Sequence, residues 1–264
     1  MGMSPPAANS ARILLFVLTF FTASFIPRAA AQDPTPSRQY QRSVSLSTMF
    51  PNIASDQGKI WTSPVHLSRK RTWIPVAAVL GTTAALIAAD PHITPWFRRT
   101  ADFSSFNRVM SSSHTTAGMI AVPAAFLAFG ELGHDSRATG TALLAAEAVA
   151  DSWVVGTVLK DVFMRARPSE ILPDGNFSDS WFEHRTSLIN PNGGMPSGHT
   201  LYAFAIATVV ARRYGNHRWV PYVSYGLAAA VGLSRITGSA HFVSDAFVGG
   251  VLGYSIGRFA VLRQ

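Results

Sequence analysis

Six apolar segments rich in Ala, Gly and Val constrain the fold of this chain most, at about 73 to 89, 115 to 130, 138 to 160, 199 to 213, 219 to 235 and 242 to 260. Their apolar runs are too long for strands, so each reads as a helix. Polar and Pro/Gly punctuation such as DPHITP, GELGHDS and YGNHR separates them. The expected architecture is all-α, a six-helix bundle in which the apolar faces bury one another. In the last segment Gly249, Gly253 and Gly257 follow Asp245 at four-residue intervals, leaving one helix stripe almost bare backbone. That stripe predicts close contact with a neighbouring helix.

A chain of 264 residues suits one sizeable domain, expected over 73–264. Ahead of it, residues 1–31 read as an export signal: Arg12 opens the apolar run ILLFVLTFF, and Ala29, Ala30 and Ala31 offer small-residue cleavage geometry. An uncleaved anchor is the alternative. Residues 32–72 are rich in Pro, Ser, Gln and isolated charges and lack a sustained period, so an extended or partly ordered lead-in is expected, with Trp61, Pro64 and Leu67 as docking candidates. Cysteine is absent, which removes thiol nucleophiles, Cys-ligated zinc and disulfides. The formal charge of +8 favours anionic partners. Its basic residues are scattered among apolar segments without an aromatic-basic module, so nucleic acid is not the expected partner.

Three clusters carry the chemistry: Lys160, Arg167 and Pro168 in KDVFMRARP; Pro196, Ser197, Gly198 and His199 in PSGH; Ser234, Arg235, His241 and Asp245 in SRITGSAHFVSD. Lysine offers a point charge, and the planar forks of the two arginines suit two oxygens of a tetrahedral anion. Ser197 and Gly198 open a predicted helix, where unpaired amides and the dipole attract an anion and the missing Cβ permits close approach. His241 and Asp245 stand four apart at a helix start, so the carboxylate is expected to accept from one imidazole nitrogen and leave the other open for nucleophilic attack. Ser234 is expected to hydrogen-bond phosphate or an arginine.

In order and spacing these clusters resemble the three signature motifs of the type 2 phosphatidic acid phosphatase and vanadium haloperoxidase superfamily, matching at every signature position. The resemblance implies that His241 attacks phosphorus, that Asp245 stabilises the ring and that His199 protonates the leaving-group oxygen. It further implies that Lys160, Arg167, Ser197, Gly198, Ser234 and Arg235 hold the phosphate. With those cations doing the work of divalent metals, no metal or other cofactor is expected. The expected function is hydrolysis of a phosphate monoester or diphosphate through a phosphohistidine. The expected substrates are phosphorylated lipids or small phosphoesters, lipids being favoured. The alternatives are a vanadate-dependent haloperoxidase using the same pocket and a soluble non-specific acid phosphatase.

Residues 169–195 bridge the first two clusters, and Phe177, Trp181, Glu183, His184 and Arg185 are leaving-group contact candidates. His92, His114, His134 and His217 fall near predicted helix ends, where capping or surface roles are expected. Apolar runs of 12 to 17 residues are short for spanning helices, and Glu147 and Asp151 interrupt the third. Membrane association is still expected from the composition of all six. A six-span layout would put Arg69, Lys70, Arg71, Arg212, Arg213 and Arg218 inside. A cleaved signal ahead of six spans would instead leave the clusters in the cytoplasm. One helix that does not span, an N-terminal segment inserted in reverse as an anchor, or a soluble bundle each removes that conflict, and in each the clusters are expected in the cell envelope outside the cytoplasm, periplasmic or on the outer face.

Overall fold

The structure is a computed structural model in which residues 44–63, 73–172, 174–182 and 193–262 are described. The expected export segment, Pro64, Leu67, Glu183, His184 and Arg185 lie outside the described residues. Helices account for nearly all regular structure: α1 Leu46–Thr62, α2 Trp73–Arg99, α3 Ser104–Val109, α4 Ser112–Leu132, α5 Ser136–Phe163, α6 Gly198–Arg213, α7 Trp219–Thr237 and α8 Val243–Ser255. A 3-10 turn at Pro168–Glu170 follows α5, and a π-helical turn at Ile256–Val261 continues α8. All six expected helices form, as α2 and α4 to α8.

Polar caps set several boundaries. Ser111 Oγ accepts from the His114 amide at 3.3 Å, and Asp135 Oδ1 accepts from the Arg137 and Ala138 amides at 2.8 and 3.3 Å. Helix α5 stops at Met164, which takes a left-handed conformation with φ 42° and ψ 41°. A non-glycine residue there costs on the order of 1 kcal/mol, and the turn it makes separates Lys160 on the helix from Arg167 beyond it.

Two departures from expectation have physical causes. The lead-in is helical over Leu46–Thr62 because Ser45 and Thr48 form a reciprocal capping box and because polar side chains anchor the helix on α5. Asn52 Nδ2 donates to Glu147 Oε1 and Gln57 Nε2 to Asp151 Oδ1, both at 2.8 Å. The two acids that break the apolar pattern of α5 are therefore turned inward and fully buried. Secondly, α2 runs past Pro91 and Pro95 to Arg99. Each proline removes a donor, but tertiary anchors on both sides hold the helix: buried Asp90, buried Phe97, and Arg98 Nη1 donating to Pro168 O at 2.7 Å.

Helix α6 is the central post, packed against α8, α7 and α5. Leu144, Ala145, Ala148 and Val155 of α5 meet Ala205, Ile206 and Val209 of α6 and the turn residues Ile256 and Val261. The glycine stripe of α8 lies on α6. A Cβ at Gly249 would come 2.6 Å from Ser197 O, one at Gly253 would strike Leu201 O, and one at Gly257 would come 2.9 Å from Thr208 Cβ. This close approach joins the helix that follows His241 to the helix that begins at Ser197.

Among the described residues, three helices are long and apolar enough to cross a membrane: α2 with 27 residues, α4 with 21 and α5 with 28. The apolar runs counted in sequence are shorter because α2 is expected to end before Pro91 and only uninterrupted apolar runs are counted. Along α2 and α4 the apolar surface points outward, with Ile74, Leu80, Ile120, Phe129 and Leu132 all exposed.

Candidate active site

The ends of six helices converge on one end of the bundle. Helices α2, α5 and α7 run toward it and α4, α6 and α8 run away, so Lys160, His199, Arg235 and His241 come together from segments far apart in sequence.

His241 sits just before α8, 4% exposed. Its Nδ1 donates to Gly194 O at 2.7 Å, which leaves Nε2 with the lone pair. The carboxylate expected to take that hydrogen bond stands farther off, Asp245 Oδ2 lying 3.8 Å from Nδ1. At that distance it acts through its charge, because both of its oxygens are committed elsewhere: Oδ2 accepts from the Phe242 amide at 2.9 Å and Oδ1 from Arg165 Nη1 at 2.7 Å. Burial pushes the His241 pKa below its ordinary value, and the charges of Arg167 and Lys160 push the same way against the pull of Asp245. The ring is held neutral.

Gly194 can approach His241 because it lies flat against the first cluster. Its N–H donates to Arg165 O at 2.7 Å, and a Cβ there would come 2.8 Å from Ala166 O. Gly193 likewise leaves no room for a side chain beside Lys160. In sequence these glycines fall in the 169–195 bridge, and the doublet ahead of Met195 is the available signal.

Arg165 is the residue that reasoning missed most plainly. It is 1% exposed and wrapped on all sides. Nη1 donates to Asp245 Oδ1 and Ser244 Oγ at 2.7 Å, Nη2 donates to Asp90 Oδ2 at 2.8 Å, and Nε donates to Ser180 Oγ at 3.3 Å. Trp181 and Phe242 cover its guanidinium at 4.4 and 4.0 Å. Trp181, a leaving-group candidate from sequence, is thus a stacking partner of this arginine. Asp90 also accepts from the Ser244 amide at 3.2 Å and so caps α8 from another helix. An acid within an otherwise apolar helix was the sequence signal for Asp90.

The anion-binding candidates line the same end. An added Cβ at Gly198 would lie 3.5 Å from Lys160 Nζ, so the ammonium sits over the first turn of α6. Arg167 Nε is buried without a hydrogen-bond partner among the described residues. Ser197 is buried, its amide donating to Asp245 O at 3.0 Å and its hydroxyl accepting from Thr200 Oγ1 at 2.9 Å. Ser234 bonds an arginine: its hydroxyl donates to Val231 O at 2.7 Å and accepts from Arg235 Nε at 3.1 Å. Arg235 also donates to Met110 O and Ser112 Oγ.

His199, the second residue of α6, presents Nε2 to Thr116 Oγ1 at 3.1 Å and to Ser112 O at 3.3 Å. Its pKa is lowered to about 4, first by burial and then by the charge of Arg235, with His241 and Lys160 adding to the effect. The two imidazoles and three cations therefore share one electrostatic environment. Of the other histidines, His114 Nδ1 lies 3.0 Å from Val109 O at the start of α4, as expected, whereas His92, expected near a helix end, is an exposed residue inside α2 with Nδ1 3.3 Å from Ala88 O, because that helix continues to Arg99.

Parts of the chain are similar to known proteins. Over 64 residues, 24% of this chain, the sequence is 40% identical to a lipid A 1-phosphatase of Porphyromonas gingivalis, and the match spans 14% of that relative's length. The fold is similar to a transmembrane PAP2-type phosphatidylglycerolphosphate phosphatase from Bacillus subtilis, with a TM-score of 0.42 and 19% identity over 81% of this chain and 92% of that one. Residues 139–264 match the PAP2 superfamily. That matching segment carries the Lys160, His199 and His241 clusters.

Proposed function

We propose that this chain hydrolyses phosphate monoesters or diphosphates, with lipid phosphates as its substrate class, through a phosphohistidine formed on His241. The observation that carries the reading is the state of His241: a buried neutral imidazole, pinned at Nδ1 by Gly194 O, with Nε2 as its nucleophilic lone pair. In the proposed cycle Nε2 attacks phosphorus, and His199 protonates the departing oxygen. Water then attacks the phosphohistidine with His199 as base, releasing phosphate.

Lys160, Arg167 and Arg235, with the first amides of α6, are proposed to hold the equatorial oxygens whose charge grows in the transition state. The buried Arg167 Nε without a partner supports this, since an anion oxygen satisfies it. Ser197 and Gly198 form the cradle and Ser234 aims Arg235. Asp245, 3.8 Å from Nδ1, stabilises the positive charge that develops on the ring.

Lipid substrates are supported by three helices fit to cross a membrane and by the local identity to a lipid A phosphatase. The catalytic domain is taken as 73–264, preceded by a lead-in that includes α1 and by an export segment over 1–31. We place the site outside the cytoplasm. That placement is the one that keeps the expected export segment meaningful.

The test is phosphate release by the purified chain in detergent on a panel of lipid and water-soluble phosphoesters, beside His241→Ala. Hydrolysis of lipid phosphates that His241→Ala abolishes is expected. Equal activity in the two proteins, or turnover of soluble esters alone, contradicts the mechanism or the substrate class respectively.

A further inference from the structure

The pocket draws on chain upstream of the superfamily segment 139–264. His199 Nε2 lies 3.3 Å from Ser112 O and 3.1 Å from Thr116 Oγ1, both in the first turns of α4. A carbonyl oxygen only accepts, so the Ser112 contact puts a hydrogen on Nε2, and the Thr116 oxygen accepts from that same hydrogen. The ring's other nitrogen, Nδ1, then holds the lone pair when the imidazole is neutral and the second proton when it is charged. Helix α4 does not need Thr116 for its own start. Ser111 caps it, and the Thr115 hydroxyl donates to Ser111 O at 2.8 Å, whereas the Thr116 side chain is exposed and turned to His199.

We infer that Thr116 is a positioning residue for the proton-donation step: its hydroxyl, with Ser112 O, fixes the His199 ring so that Nδ1 delivers the proton to the leaving-group oxygen. This rests on the reading of His199 as the acid. As the bond from phosphorus to the leaving oxygen breaks, its electron pair stays on that oxygen and the Nδ1 proton goes to it. The alcohol departs and His199 is left neutral, still anchored through Nε2–H. The attacking water later returns a proton to Nδ1, so the cycle needs no co-reactant beyond water.

The experiment compares the full chain with Thr116→Val, which keeps shape and loses the hydroxyl, and Thr116→Ser, which restores it. Two substrates are used, an alkyl phosphate whose leaving group needs a proton and p-nitrophenyl phosphate whose leaving group does not. Thr116→Val is expected to lose about ten- to a hundredfold in kcat on the alkyl ester with KM within about twofold, and under about threefold on the nitrophenyl ester. Thr116→Ser is expected to restore most of the loss. Equal losses on both esters, no loss on either, or no rescue by serine overturns the inference. His199→Ala separates the two levels of the argument: absence of leaving-group dependence in that variant overturns the acid role itself, whereas its presence beside an unaffected Thr116→Val overturns only the role of Thr116.

Discussion

Asp245→Asn separates the two roles open to this carboxylate, holder of Arg165 and electrostatic partner of His241. In the proposed cycle, attack by Nε2 on phosphorus makes the ring cationic, and a carboxylate oxygen stands 3.8 Å from Nδ1. Both residues are buried, so an effective dielectric of about 20 gives an attraction of about 4 kcal/mol, of which the amide dipole of asparagine returns part. A loss of about 2 to 4 kcal/mol corresponds to kcat falling roughly 30- to 1,000-fold. KM should change little, because Asp245 faces Arg165 and the Phe242 amide rather than the anion-binding cations. The fold should survive, since Arg165 keeps Asp90 at 2.8 Å and the buried pair stays neutral. Steady-state kinetics on a soluble phosphoester, with thermal unfolding measured in the same detergent, reads both quantities. A variant with wild-type kcat and a lowered Tm would refute the electrostatic argument and leave Gly194 O as the sole partner that matters to the ring.

Arg165→Met leaves the carboxylates of Asp90 and Asp245 buried without their shared cation, and is expected to cost about 3–5 kcal/mol, seen as a large fall in Tm or loss of folded protein. Gly253→Ala drives a methyl into Leu201 O and should lower stability by about 1–3 kcal/mol, whereas Gly81→Ala, where a Cβ meets nothing within 4 Å, should not. In the empty pocket His199 should stay neutral down to about pH 4, because burial and Arg235 oppose its charge, and phosphate or vanadate should raise that value by adding negative charge beside it. Nitrogen NMR titration checks this, and an unliganded His199 titrating at 6.5 or above contradicts it. Hydrolysis should persist in a chelator and be inhibited by vanadate as a phosphate mimic; strict dependence on added magnesium or zinc contradicts the assignment of charge stabilisation to Lys160, Arg167 and Arg235.

The six principal helices were legible because each is a long apolar run closed by polar punctuation, and the glycine stripe of α8 because a bare helix face has few uses other than close packing. Local signals misled where tertiary contacts overrode them. Pro91 and Pro95 suggested a helix end that Asp90 and Arg98 prevent, and the polar lead-in hid an α1 whose stability comes from Asn52 and Gln57 reaching into α5. At the site, spacing singled out His199, His241, Asp245 and the cations as candidates, and the structure brings them to one end of the bundle. It did not identify what orients them. A four-residue separation made Asp245 the natural acceptor for His241, yet Gly194 O reaches Nδ1 first because two glycines let backbone lie against the first cluster. Contacts made by backbone carbonyls, such as those of Gly194, Met110 and Ser112, leave no mark on side-chain patterns.

Rapid chemical quench with a substrate carrying labelled phosphate tests the covalent step directly. During turnover the protein should acquire acid-labile, base-stable label, mapped by proteolysis to the peptide containing His241 and absent from His241→Ala. Turnover of the same substrate without label on His241, or with label on any other residue, would contradict the phosphohistidine mechanism.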